Sequence, residues 1–258
     1  IRLTQDPRGV ARLVLARPER HNALNGMMIR ELRTAIMQLR DDHSIRVVLL
    51  CAEGASFCSG GDITWMREQT DADRTGRLNA ALELAHMLSE LDRLPKPVVA
   101  RVQGPAYGGG IGLMAVCDAV VASAAARFAL TEVRLGLIPA VIGPYVVRRL
   151  GEGLARRLIL SGTSFDADQA QAMGLVSLVA VGDDLDHAVD AQIGEFLNCA
   201  PGAVAEAKTL CARLAGTPDP DTVSWTVECL ASRWEASEAA EGLRCFLAHE
   251  KPSWAPRS

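Results

Sequence analysis

Two glycine-rich segments and one glutamate are the residues of this chain whose types and spacing could do chemistry. The segments are 57–63 and 104–112, and Glu132 follows at the end of 128–132. Each glycine segment comes after an apolar, strand-like run and leads into a helical pattern, so free backbone N–H groups would lie at helix N-termini, where negative charge is favoured. Two such sites converging on one carbonyl oxygen would form an oxyanion hole, with Glu132 beside it as a proton carrier. These residues predict an enzyme active site.

The elements that must position these residues alternate between strand and helix. Apolar, β-branched runs predict strands at 10–15, 46–52, 97–102, 119–122, 127–130 and 176–181. Helical spacing of apolar residues predicts helices at 27–40 and 78–94, a short helix from Asp62 and one at 108–117, with a mobile polar connection at 71–76. Repeated units of this kind predict an α/β domain with parallel strands.

Beyond about residue 145 the pattern is mostly helical. Helices are predicted at 144–150, 152–160, 166–173, 184–198, 201–215, 219–238 and 238–248. Because nothing beyond Pro201 predicts a further strand, we divide the chain into a core at 1–195, which holds the site, and a C-terminal helical region at 196–258. That region is expected to pack on the core or on a neighbouring subunit and to serve in oligomerisation.

Composition excludes several classes of protein. The 258 residues carry a net charge of −4, so no basic footprint indicates a nucleic-acid partner. No apolar run approaches the ~18 residues of a membrane span, and the start of the chain shows no secretory signal, so we expect no membrane partner and a cytoplasmic location. The seven cysteines form no C-x-x-C pair and no zinc-like spacing with histidine, which predicts reduced thiols and no metal site.

Each of these residues also has a simpler interpretation. Cys58 could be a nucleophile, but no histidine near it in the sequence would activate it, and a small packing residue explains it as well. A lone glutamate such as Glu132 is ordinarily solvated, although its apolar neighbours favour partial burial. Asp62 could cap a helix as well as contact a ligand. The glycines at 108–110 are not a dinucleotide fingerprint, because Leu113 stands where G-x-G-x-x-G requires its third glycine.

Five segments in order resemble the crotonase superfamily, the enoyl-CoA hydratase/isomerase family. They are spread nearly from end to end of the chain, at 17–25, 57–63, 102–118, 128–139 and 241–252. The resemblance implies a spiral of ββα units followed by a C-terminal helical region, assembled as a homotrimer or hexamer. It implies an acyl-CoA thioester as the substrate, with coenzyme A as part of that substrate and no other cofactor.

The resemblance also implies roles for individual residues. The backbone N–H groups of Gly61 and Gly109 would bind the thioester oxygen, and Glu132 would be the catalytic base. Arg20 would meet a CoA phosphate, and Phe246 would cover the adenine from the same or a neighbouring subunit. Thr64 stands where many relatives carry a basic residue. The remaining residues expected along the CoA path, largely through backbone atoms, are Ala23, Ser59, Asp62 and Ile63.

Position 112 is the chief departure from the family pattern. Two-glutamate hydratases carry their other glutamate where this chain has Gly112, which leaves Glu132 alone. One carboxylate can activate water for addition to a 2-enoyl-CoA while another group, or the same carboxyl in sequence, handles the second proton. It can also shift a proton as a 3-enoyl-CoA isomerase does. A non-catalytic acyl-CoA binder is a third alternative.

The sequences of several short segments around the predicted site favour the hydratase. The segments 62–66, 104–113, 131–140 and 143–147 resemble a bacterial branch that contains the methylglutaconyl-CoA hydratases of leucine breakdown and the isohexenylglutaconyl-CoA hydratases of terpene breakdown. Our leading hypothesis is therefore hydration of a branched 2-enoyl-CoA. If that substrate carries a second carboxylate, the candidates to meet it are Arg67, Arg134 and Tyr145.

Overall fold

The computed structural model describes residues 1–182, 184–214, 220–250 and 252. It confirms the α/β class. Its strands are β1 (Arg2–Gln5), β2 (Val10–Leu15), β3 (Val47–Ala52), β4 (Val98–Val102), β5 (Ala106–Tyr107), β6 (Ala119–Ser123), β7 (Arg127–Ala129), β8 (Phe165–Asp166) and β9 (Leu178–Ala180).

Two sheets are formed. The larger has six strands in the order β1-β2-β3-β4-β6-β9, and all of its neighbours are parallel except β1 and β2. The smaller joins β5 to β7 in parallel and β7 to β8 antiparallel. Strands β3, β4 and β6 are almost wholly buried, as the continuous apolar runs predicted.

The helices surround these sheets. They are α1 (Gly26–Asp41), α2 (Ile63–Asp71), α3 (Arg74–Asp92), α4 (Gly109–Ala115), α5 (Gly143–Leu150), α6 (Glu152–Ser161), α7 (Ala167–Ala172), α8 (Leu185–Leu197), α9 (Pro201–Leu214), α10 (Pro220–Trp234) and α11 (Ser237–Ala248). A short 3-10 helix spans Glu132–Leu135 and is termed the Glu132 helix. The Asn25 side chain caps α1 by accepting from the Met28 N–H at 2.9 Å, and the apolar face of α1 is buried.

The prediction of a mobile connection at 71–76 was wrong. α2 extends to Asp71 and α3 begins at Arg74, so the segment holds a helix end and a helix start. The Asp73 side chain caps α3 by accepting from the Gly76 N–H at 2.8 Å. A capping aspartate stabilises the first turn of a helix even where the exposed residues after it are polar.

The C-terminal helices pack on the core of the same chain. α10 lies along α3, and α11 lies against the Glu132 helix. Residues 215 and 219, at the ends of two predicted helices, lie outside the described residues, as do Lys251 of the C-terminal motif and residues 253–258. Among the described residues, no helix is both long and apolar enough to cross a membrane.

Candidate active site

The two glycine-rich loops lie side by side because their backbones pair. The Tyr107 N–H donates to the Cys58 carbonyl at 2.9 Å, and the Phe57 N–H donates to the Pro105 carbonyl at 3.0 Å. A Cβ at Gly110 would lie only 2.5 Å from the Cys58 carbonyl oxygen. A side chain at position 110 would therefore push the loops apart.

Gly61 and Gly109 are brought together by this pairing. A Cβ at Gly60 would lie 3.8 Å from the Gly109 nitrogen and 3.2 Å from the Tyr107 carbonyl oxygen. Gly60 also has φ +91°, a conformation that glycine adopts freely. Neither the Gly61 nor the Gly109 N–H donates a hydrogen bond to another residue in the described part of the chain. Two backbone donors are thus left available within one small region.

Glu132 directs its carboxyl group at the same loop. A Cβ at Gly108, where φ is +45°, would lie 2.8 Å from Glu132 Oε1. Oε2 is buried, and no described residue donates a hydrogen bond to it. Burial raises the pKa of Glu132 from 4.5 to about 7, against the opposing effect of its own backbone N–H. The carboxyl can therefore both accept and return a proton near neutral pH.

Ile142 occupies the space beside Gly112. A Cβ at Gly112 would lie 2.9 Å from Ile142 Cβ and would overlap Ile142 Cγ2. Ile142 is buried just before α5, and Gly112 is buried within α4. Position 112 therefore has neither a carboxylate nor room for a side chain while Ile142 keeps its place.

The loop 17–25 runs beside the first glycine loop. The Ser59 N–H donates to His21 at 3.0 Å, the Leu24 N–H donates to Gly60 at 2.7 Å, and the Asp62 N–H donates to Leu24 at 2.8 Å. These backbone bonds place Ala23, Ser59, Asp62 and Ile63 along one seam, with Ala23 buried and Ile63 exposed. The seam leads to Gly61.

Asp62 caps α2, as one of the two sequence interpretations held. Its Oδ1 accepts from the Thr64 N–H at 2.9 Å, and its Oδ2 accepts from Arg17 Nη2 at 2.9 Å. Burial alone would raise the pKa of Asp62, but the hydrogen bonds from Arg17, Thr64 and Trp65 lower it overall. The aspartate thus ties loop 17–25 to the start of α2 as an anion.

A cavity of about 390 Å³ opens at the end of this seam. It is lined by Arg17, Arg20, Asn25, Gly26, Met27, Arg30, Asp62, Thr64, Trp65 and Glu68. Arg30 of α1 thus faces the same space as Thr64 and supplies a cation where Thr64 has none. Phe246 lies on α11, is 49% exposed and does not line this cavity.

Cys58 does not have the environment of a nucleophile. The thiol is buried, and burial raises its pKa to about 12, so it stays protonated. Among the described residues, no group of three or more His, Cys, Asp and Glu side chains could hold a metal ion.

Sequence reasoning missed Arg30 and Ile142. Arg30 lies one helical turn after Gly26 on α1, and that spacing could have placed it next to loop 17–25. No sequence signal connects Ile142 with Gly112, because the contact joins α4 to the residue before α5, some thirty positions along the chain, and arises only from packing.

The overlap at position 112 can be tested by stability. Alanine is ordinarily preferred over glycine inside a helix by ~1 kcal/mol. Because of the contact with Ile142, we expect Gly112→Ala to lower the free energy of unfolding by ~1–3 kcal/mol instead. The control is Gly194→Ala in α8, where a Cβ would meet nothing within 4 Å. Denaturant unfolding should also show Gly112→Ala/Ile142→Ala to be less costly than the sum of the two single changes, and additivity would contradict the contact.

The buried carboxyl of Glu132 should make stability depend on pH. Its folded pKa of about 7 exceeds the unfolded 4.5, so stability is lost as pH rises through this window, by ~3 kcal/mol. We expect the difference in free energy of unfolding between Glu132→Gln and wild type to be ~3 kcal/mol larger at pH 8 than at pH 4. Denaturant unfolding at both pH values measures it, with the exposed Glu19→Gln as control. An unchanged difference would mean that the native carboxyl is solvated.

Comparison with known proteins agrees with this geometry. The family model for enoyl-CoA hydratase/isomerase matches residues 5–257. An enoyl-CoA hydratase structure from Shewanella pealeana is 38% identical, with a TM-score of 0.80 over 98% of this chain and 94% of its own. One from Mycobacterium avium is 31% identical, with a TM-score of 0.86 over 96% and 94%. A Mycosarcoma maydis enoyl-CoA isomerase/hydratase is 31% identical over 95% of this chain and 92% of its own. The chain therefore belongs to the enoyl-CoA hydratase/isomerase family of the crotonase superfamily and is an enzyme with the α/β fold of that family.

Proposed function

We propose that this enzyme adds water across the double bond of a branched 2-enoyl-CoA, with Glu132 as its sole proton carrier. The observation that carries the proposal is the buried Glu132 carboxyl against Gly108, next to the unengaged N–H groups of Gly61 and Gly109. A pure binder would need no such carboxyl, because a buried acid without a partner is destabilising.

The first step adds the water oxygen to the β-carbon. The Glu132 carboxylate takes a proton from water as the hydroxyl adds, and the electrons of the double bond move onto the thioester oxygen. Gly61 and Gly109 then donate their N–H groups to the enolate oxygen. Removing one such donor typically costs about 3–4 kcal/mol of transition-state stabilisation.

The second step returns the proton. Glu132, now a neutral acid, protonates the α-carbon as the enolate electrons return from the oxygen, and the carboxylate is restored. One carboxyl can serve both steps because its pKa of about 7 makes either form accessible at neutral pH. Because Ile142 occupies the space beside Gly112, no second glutamate at position 112 shares this task.

The isomerase alternative uses the same groups. Glu132 would remove the α-proton of a 3-enoyl-CoA and return it to the γ-carbon, with the same enolate in between. The name of the Mycosarcoma maydis relative includes both activities, whereas the two structures described above are named hydratases. The relatives' names thus favour hydration and leave isomerisation as the alternative.

A second carboxylate on the substrate would need a cation. Tyr145 is buried and has the Arg148 guanidinium 5.5 Å from its ring centroid, and Arg148 is paired with Asp92. Arg67 and Arg134 are exposed, and neither forms an ion pair within the described part of the chain. We therefore favour Arg67 and Arg134 over Tyr145.

The proposal is tested by turnover of 3-methylglutaconyl-CoA, crotonyl-CoA and a 3-enoyl-CoA, with mass spectrometry for the gain of one water. We expect the branched substrate to gain water fastest, with kcat/KM rising through pH about 7. Glu132→Gln should lower kcat/KM by ~100–10,000-fold. Arg67→Met or Arg134→Met should slow only the substrate with the second carboxylate, and the exposed Arg157→Met is the control.

Other outcomes separate the alternatives. Conversion of the 3-enoyl-CoA alone, without gain of water, would establish the isomerase. Turnover of none of the three thioesters would favour the binder. Water gained equally by wild type and Glu132→Gln would eliminate the proposed role of Glu132.

The cavity at the end of the seam would bind the phosphates of CoA through Arg20 and Arg30. Both side chains are exposed, so we expect Arg20→Met and Arg30→Met each to raise KM for an enoyl-CoA by ~10-fold with little change in kcat. The matching pantetheine thioester, which lacks the nucleotide phosphates, should show no change. Arg40→Met, on the same helix but outside the cavity, is the control. An equal rise in KM for both thioesters would contradict the assignment.

A further inference from the structure

The backbone of α11 touches the Glu132 helix directly. A Cβ at Gly242 would lie 2.5 Å from the Leu135 carbonyl carbon and would overlap the carbonyl oxygen. A Cβ at Gly136 would lie 2.5 Å from the Glu238 carbonyl carbon and 2.8 Å from the Ala239 nitrogen. Glycines on both facing segments thus permit an approach that side chains would prevent.

An apolar cluster extends this contact to the first glycine-rich loop, which contains Gly61. Its buried members are Leu137, Trp234, Ala239 and Leu243, and Met66, Leu135, Leu230 and Leu247 pack on it. Met66 belongs to α2, and its Cγ and Sδ would each lie 3.3 Å from a Cβ at Gly61. The C-terminal helices therefore contact both the segment that carries Glu132 and the residue packed on Gly61.

This packing reaches the backbone of Glu132. The Leu137 N–H donates to the Glu132 carbonyl at 3.0 Å, so the cluster is joined to the backbone of Glu132 itself. The carboxyl in turn lies against Gly108, with Oε2 buried. A displacement of α11 from Leu135 would move the Glu132 helix, and the carboxyl with it.

We propose that α11 is the positioning element of the active site: the contact of Gly242 with Leu135, together with the apolar cluster, holds Glu132 against Gly108 and keeps its carboxyl out of water. Gly242 is a positioning residue, since it acts through the Glu132 helix and touches no reacting atom. This inference rests on the proposed function, in which Glu132 carries the proton.

Exposure to water would change the titration of Glu132. The charged side chains on the elements packed here are Arg134 of the Glu132 helix, Glu238, Glu241 and Arg244 of α11, and Glu152, Arg156 and Arg157 of α6. Arg244 is paired with Glu250 at 2.9 Å. Burial, not a neighbouring charge, raises the pKa of Glu132. Loosening α11 should therefore return that pKa towards 4.5.

The test is Gly242→Ala, studied by carbon NMR of the full chain with carboxyl-labelled glutamate. The Glu132 signal is assigned by its loss in Glu132→Gln. We expect the folded variant to titrate at least one pH unit below wild type, and the acidic limb of its pH–rate profile to shift equally, with lower kcat and unchanged KM. Gly194→Ala, a helical glycine with nothing within 4 Å, should match wild type in both.

If Gly242→Ala does not fold, Leu243→Val provides the test instead, because it removes one carbon from the apolar cluster and introduces no steric overlap. It should shift the Glu132 titration in the same direction by a smaller amount. A folded variant with an unchanged Glu132 titration would overturn the inference. The NMR titration needs no substrate, so it tests the role of α11 independently of the proposed reaction. The proposed reaction is contradicted separately, if the wild-type enzyme turns over no enoyl-CoA.

Discussion

The site depends on the close approach of two backbone segments, residues 58–61 and 106–110. Strands β3 and β4 are parallel neighbours, so the loops after them leave the sheet at the same edge. Backbone hydrogen bonds from Tyr107 to Cys58 and from Phe57 to Pro105 then draw the loops together, and Gly110 leaves the space that this requires. The Gly109 N–H is unengaged because Gly109 is the first residue of α4, and the first turn of a helix has no intrahelical acceptors for its N–H groups. The Gly61 N–H is unengaged because Leu24 pairs with the residues on either side of Gly61, which turns its own N–H away from that bridge. A different strand order would separate the donors.

Burial of the Glu132 carboxyl opposes folding while it prepares the chemistry. An acid with an unpartnered buried oxygen is destabilising as an anion, and that same destabilisation makes it a better proton acceptor near neutral pH. The apolar core around β3, β4 and β6 offsets this cost. At Gly136 and Gly242 the backbones of α11 and the Glu132 helix are in contact. This contact leaves the Glu132 helix little freedom to turn its carboxyl towards water.

Much of this arrangement could be predicted from the sequence. The strand Val10–Leu15 was predicted to the residue, because its alternation is local. Capping by Asp62 was one of two interpretations of that residue, and it could be read from the sequence because a cap involves only the next three residues. The glycine loops and Glu132 were found by their positions after buried strands and by resemblance. The features that could not be predicted depend on packing between distant elements. Ile142 against Gly112 and Leu135 against Gly242 leave no trace in spacing, and the start of α3 at Arg74 was hidden by the polar residues around its cap.

The contact between Gly112 and Ile142 also bears on how this enzyme could change over evolutionary time. A glutamate at position 112 would collide with Ile142, and a smaller residue at 142 alone would leave a cavity beside α4. Each single substitution is thus penalised, and only the pair makes room for another carboxylate. A second carboxylate at position 112 therefore requires a coupled change at position 142, so the packing between α4 and the residue before α5 preserves the single-glutamate site.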